Sequence, residues 1–141
     1  MSIQDTIYRE FDKMNKRGWN KIYWAIDFHD TILPGMYTKD DGATEFYPDA
    51  IEALKILQER NDCVLILWTS SYEEYIKKHL DKLKDRYGII FDYYNENPEC
   101  PSDQLCDFSG KFYFNVLIDD KAGFNPEEHW KDVIYALGVY N

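Results

Sequence analysis

Positive charge is scarce in this chain. Sixteen Lys and Arg stand against 26 Asp and Glu, a formal net charge of −10, whereas proteins that grip a phosphate backbone do so with clustered Lys and Arg. No nucleic-acid-binding surface is expected. The one basic cluster, Lys13, Lys16, Arg17 and Lys21, complements the end of a first helix instead. Cysteine is also sparse. Cys63, Cys100 and Cys106 form neither an even set nor a paired metal spacing, and they read as reduced thiols. No apolar run approaches the roughly 18 residues of a membrane span, and Met1-Ser2-Ile3-Gln4-Asp5 lacks the basic-then-apolar order of a signal peptide. A cytoplasmic protein without a membrane partner is the expectation.

What is present is enough for a core. Hydrophobic residues make up 45% of the 141 and aromatics 17%, which excludes a disordered chain and predicts one globular domain over residues 1–141. Ile3, Ile7, Phe11 and Met14 share one helical face, so residues 3–16 read as an amphipathic helix closed by Gly18, packed on the domain. The run Ile22-Tyr23-Trp24-Ala25-Ile26 is a buried strand that ends in Asp27-Phe28-His29-Asp30-Thr31. Pro34-Gly35 and Asp41-Gly42, flanked by Met36-Tyr37 and Phe46-Tyr47, predict a hairpin flap over residues 33–47.

Pro48 predicts the first position of a helix that buries Ile51, Leu54 and Leu57 and stops at Asn61. Cys63-Val64-Leu65-Ile66-Leu67-Trp68 is a second strand, uninterrupted in the manner of parallel strands buried on both faces, and it ends in Thr69-Ser70-Ser71. Ser70 with Glu73, or Ser71 with Glu74, can form a capping box for the following helix, striped by Tyr72, Ile76, Leu80, Leu83 and Tyr87 and closed by Gly88. Third and fourth strands are expected over 89–93 and 112–118, the latter ending in Asp119-Asp120. Asn125 predicts the cap of a last helix with Pro126 first, Trp130, Val133, Ile134 and Leu137 inward, and Gly138 at its close.

Apolar strands alternating with amphipathic helices indicate an α/β fold, a three-layer Rossmann-like doubly wound sheet with mostly parallel strands. The residues just past parallel strands gather on one edge, where ligands bind. Asp27, Thr69 and the Asp119-Asp120 pair would then be neighbours, a hard, oxygen-rich set that suits Mg²⁺.

These residues resemble the haloacid dehalogenase-like phosphohydrolases. That family has an apolar strand ending Asp-x-Asp-x-Thr, a strand ending in Thr or Ser, a Lys, and a strand ending in an acidic pair. Ile22 to Thr31, Val64 to Thr69, Lys111, and Val116 to Asp120 match in that order over residues 22–123. Leu67-Trp68-Thr69, Asn95-Glu96-Asn97 and Ile118-Asp119-Asp120 look like a little-characterised group of small capless members found in bacteria and phages.

The resemblance implies a Mg²⁺-dependent phosphatase that acts on a small phosphorylated metabolite or nucleotide through an aspartyl-phosphate. Asp27 would be the nucleophile, with Thr69 and Lys111 holding the transferring group. Asp27, Asp119 and the backbone carbonyl of His29 would hold Mg²⁺, and Asp120 would bind it through water or orient Lys111. Thr31, Ser70 and Asn95 would contact substrate, and the flap would do part of the work of a cap domain.

His29 departs from the pattern, since the family's phosphatases usually have Asp there as general acid and base. A His can do both jobs, with an ordinary pKa of about 6.5. The alternative is a catalytically impaired phosphate- or metal-binding or interaction protein in which His29 marks lost activity. A receiver domain of two-component signalling uses similar residues in the opposite order, and His29, His79 and His129 lie on separate elements, against a zinc cluster.

Overall fold

The sheet is built outward from β1 (Ile22–Asp27) and β2 (Cys63–Trp68), which pair in parallel over their whole length, from Ile22 opposite Cys63 to Asp27 opposite Trp68. The computed structural model describes residues 2–34, 45–70, 72–102, 106–108 and 110–140. β3 (Tyr93–Tyr94) adds to the free side of β2 and β4 (Val116–Ile118) to the free side of β1, both in parallel, giving the order β3-β2-β1-β4. This is an α/β fold with a four-stranded all-parallel sheet and four α-helices among the described residues, compatible with a Rossmann-like arrangement.

Both central strands are apolar without interruption because both of their faces are covered. Trp24, Ala25 and Ile26 of β1 and Leu65, Ile66 and Leu67 of β2 are buried. Helix α1 (Ile3–Arg17) packs on α4 (His129–Gly138), and α4 on α2 (Ala50–Glu59). Phe11 of α1 stacks on Tyr140 at 4.1 Å between ring centroids. Trp24, Trp130, Phe11 and Phe28 are the largest fully buried side chains, each worth roughly 1.5–3 kcal/mol or more of burial. Helix α3 (Glu73–Tyr87) buries Ile76, His79 and Leu83 and stops at Gly88, whose φ of 70° only glycine adopts cheaply.

The outer strands are shorter than predicted, and for one reason. Side chains of Asp92, Asn95 and Asn115 make the bonds that strand backbone would otherwise make. The Leu65 amide donates to Asp92 Oδ2 (2.8 Å) and the Tyr23 amide to Asn115 Oδ1 (2.8 Å). Strand β3 therefore begins at Tyr93, not Ile89, and β4 at Val116, not Phe112.

Helix starts differ as well. Helix α2 begins at Ala50, after Asp49 at φ 66°, so Pro48 lies in the preceding turn; it ends at Glu59, with Arg60 at its C-cap in place of Asn61. Tyr72 occupies the N-cap of α3 without a side-chain bond, so Ser70 and Glu73 form no capping box; the Ser71–Glu74 alternative lies outside the described residues. Asn125 caps the turn 126–128 instead of the helix, its Oδ1 accepting from the Glu127 amide (3.1 Å), and α4 starts only at His129 and includes Gly138. Residues 35–44, most of the expected flap, also lie outside the described residues. At its described margins the Tyr47 amide donates to the Ile32 carbonyl (2.9 Å).

No helix among the described residues is long and apolar enough to cross a membrane. Cys63, Cys100 and Cys106 form no disulfide among the described residues. Burial and the neighbouring Asp62 push the Cys63 thiol up to about 12, which keeps it protonated and unreactive.

Candidate active site

Strand order decides where the polar strand tips meet. The chain steps from β1 to β2 to β3 in one direction and then returns to place β4 on the other side of β1. A crevice opens where such an order reverses, outside the carboxyl ends of the strands. Here that point lies between β1 and β4. Ile26 pairs with Ile118, and one residue further on Asp27 and Asp119 leave the sheet side by side.

Asp27, Asp119 and Asp120 bring one carboxylate oxygen each to within 4.8 Å of the others. All three are partly buried. They line a cleft of about 310 Å³ together with His29, Asp30, Thr69 and Ser70, and Trp68 and Lys121 complete its walls. A slightly larger cleft, about 350 Å³, lies between α3 and the β3 edge, but it gathers no comparable set of reactive groups; the chemistry, not the volume, marks the site.

Crowding has an electrostatic consequence. Burial, then the Asp119 charge, push the Asp27 carboxyl up to about 7, against the opposing hydrogen bond from Thr31. Thr31 lies beneath the cleft with no exposed surface. Its Oγ1 donates to Asp27 Oδ2 (3.0 Å) or to Asp120 Oδ1 (3.3 Å), and accepts from the Asp120 amide (3.1 Å). One hydroxyl thus ties the β1 tip to the β4 tip. Trp130 Nε1 donates to the Thr31 carbonyl (2.8 Å), which fastens the same loop to α4. Thr31 therefore positions carboxylates, and the contact with substrate expected of it is not available to a fully buried residue.

The loop itself is tight. Phe28 carbonyl accepts from the amides of Thr31 (3.3 Å) and Ile32 (2.9 Å), and Asp30 takes φ 62° to make the turn. That left-handed conformation is unusual for a residue with a Cβ and is typical of strained functional loops. The His29 ring packs edge-on against Phe28 and His79, with centroids at 5.5 and 5.7 Å.

Thr69 is held from the other side. Its amide donates to Asn95 Oδ1 (2.8 Å) and its carbonyl accepts from Asn95 Nδ2 (2.7 Å), so an amide side chain pairs with it as a strand residue would. Asn95, expected to touch substrate, spends its side chain on this clamp. Asp119 is fixed by its own turn, its Oδ1 accepting from the Lys121 amide (2.9 Å).

Of the residues predicted from sequence, the cleft brings together Asp27, His29, Thr69, Ser70, Asp119 and Asp120. It does not include Lys111. That residue lines clefts on the far side of Trp68, with its Nζ 5.5 Å from the centroid of the Phe114 ring. The cation lining the acidic cleft among the described residues is Lys121. Its only sequence signal was adjacency to the acidic pair, which a solvated turn lysine shares.

Three carboxylates with a hydroxyl and no soft ligand fit a hard divalent cation such as Mg²⁺. Burial is the main cause of the raised Asp27 value, and the second, the Asp119 charge, is one that such a cation would relieve. Comparison of the chain with protein-family models, with curated proteins and with solved structures finds no match.

Proposed function

We propose that the chain is a Mg²⁺-dependent phosphohydrolase of the haloacid dehalogenase-like type, capless, with a doubly wound sheet and a flap over residues 33–47. The observation that carries the reading is the meeting of Asp27, Asp119 and Asp120 at the reversal of strand order, beside Thr69. The carboxylates of Asp27, Asp119 and Asp120 and the backbone carbonyl of His29 would hold the cation. When bound, Mg²⁺ supplies the positive charge that keeps Asp27 ionised and neutralises phosphoryl oxygens.

In this reading Asp27 attacks phosphorus through a carboxylate oxygen as the bond from phosphorus to the leaving oxygen breaks. His29 gives the leaving oxygen its proton. A water then attacks the phosphorus of the aspartyl-phosphate, His29 takes a proton from that water, and cleavage of the phosphorus–Asp27 bond releases inorganic phosphate. Thr69, Ser70 and Lys121, which line the cleft, would present hydrogen-bond donors to the transferring group. Lys121 takes the part that the resemblance gave to Lys111.

The test is a panel of phosphoesters assayed with Mg²⁺ and with EDTA. The expected result is EDTA-sensitive release of phosphate that Asp27→Asn abolishes. A rate that persists in Asp27→Asn removes Asp27 as nucleophile. Cation binding without hydrolysis of any phosphoester would favour the binding protein in which His29 marks lost activity.

A further inference from the structure

Trp68 ends β2 with 42% of its surface exposed, although every other residue of that strand is buried. It is the wall between two clefts. One is the acidic cleft; the other, of about 270 Å³, runs along Asn95, Asn97, Phe108, Lys111 and Phe112. Together they fall within the roughly 300–1,000 Å³ of small-molecule sites. The Phe112 ring stands 5.4 Å from the Trp68 indole at 66°.

The amides in the second cleft are already engaged. Asn95 is locked on Thr69, and Asn97 donates from Nδ2 to the Tyr113 carbonyl (2.8 Å) and accepts at Oδ1 from the Glu99 amide (3.2 Å). What the cleft still offers a ligand is the ring surface of Trp68 and Phe112 set in a mostly polar lining, with Lys111 and Glu96 supplying one charge of each sign. Such a surface recognises the face of a ring and tolerates its edge. A purely aliphatic leaving group would make no use of the ring faces, and a large peptide or lipid would overfill the cleft.

We propose that this second cleft receives the leaving group of the phosphoester, and that the leaving group is a nucleoside. The phosphate sits over Asp27, the sugar passes Thr69, and the base stacks on the Trp68 indole beside Phe112. Lys111 then serves the nucleoside and not the transferring phosphoryl group. The proposal rests on the phosphoester reading of the acidic cleft, so one arm of its test does not use turnover.

In that arm adenosine, which carries no phosphate, is titrated in EDTA while the indole N–H resonances are followed, Trp68 being assigned from its loss in Trp68→Phe. The Trp68 resonance should move; those of the fully buried Trp24 and Trp130 should not. A Trp68 resonance that stays in place at millimolar adenosine overturns the proposal, whatever the enzyme does.

In the second arm kcat/KM is compared for adenosine 5′-monophosphate and glycerol 3-phosphate. Their ratio should fall about tenfold in Trp68→Ala and recover largely in Trp68→Phe, as loss and return of a stacking face would require. An unchanged ratio overturns the nucleoside assignment. If neither ester is hydrolysed, the adenosine titration alone decides this proposal, and the phosphoester panel decides the phosphatase reading.

Discussion

Replacing Asp27 by Asn should make the metal-free protein more stable while removing its chemistry. The Asp27 carboxyl titrates at about 7 in the folded chain against an ordinary 3.8, mainly because it is buried and faces Asp119. Between those values the folded state keeps a proton that the unfolded chain has released. Stability therefore falls as pH rises through this window, and the loss is complete above pH 7. Full displacement would correspond to ~4 kcal/mol. Asp27 keeps part of its surface in water, and screening reduces the figure to roughly 1–2 kcal/mol.

An amide has the same shape, cannot ionise, and would offer its N–H to the Asp120 and Asp119 carboxylates while still accepting from Thr31. Thermal unfolding in EDTA should place Asp27→Asn ~3–6 °C above wild type at pH 8, with the two converging near pH 4. With saturating Mg²⁺ the order should reverse, because only wild type gains the full binding free energy. Equal pH profiles in EDTA, or a variant less stable at pH 8, would refute the account of Asp27 as a strained carboxylate.

His29→Ala should lower kcat by roughly 10²-fold or more with a much smaller change in Mg²⁺ affinity by calorimetry, since the backbone carbonyl remains; unaltered turnover would remove His29 as proton carrier. Thr31→Val leaves the Asp120 amide without its acceptor and should cost about 1–3 kcal/mol in denaturant unfolding, with Thr31→Ser restoring most of it; a stable valine variant would show that the hydroxyl tie is dispensable. Lys121→Met should lower kcat by roughly tenfold or more and by more than Lys111→Met does, whereas the opposite order would return Lys111 to the reacting centre.

The central strands were legible because burial on both faces leaves no room for polar residues before the tip. Asp27, Thr69 and Asp119 were legible for the same reason, as the first polar residues after apolar runs. The outer strands were misjudged by several residues because Asp92, Asn95 and Asn115 substitute side-chain bonds for backbone ones, which hydrophobic patterning does not register. Pro48, Ser70 and Asn125 are all good helix-start residues, and each lies ahead of its helix without capping it; local preference marks the approach to a helix as readily as the cap. Lys111 went astray because residues 110–115 follow no regular element, so counting from β4 could not say which cleft it would reach.

The Asn95 clamp separates two kinds of change that the chain could undergo. Because a single amide side chain completes the pairing of Thr69, the backbone is released from the sheet at Asn95, at φ 53°, without loosening the residue it leaves behind. The loop between that point and β4 can be lengthened, shortened or replaced while Thr69 keeps its place beside Asp27. The protein is thus divided into a part that must be inherited intact and a part that can be exchanged, with one asparagine as the seam.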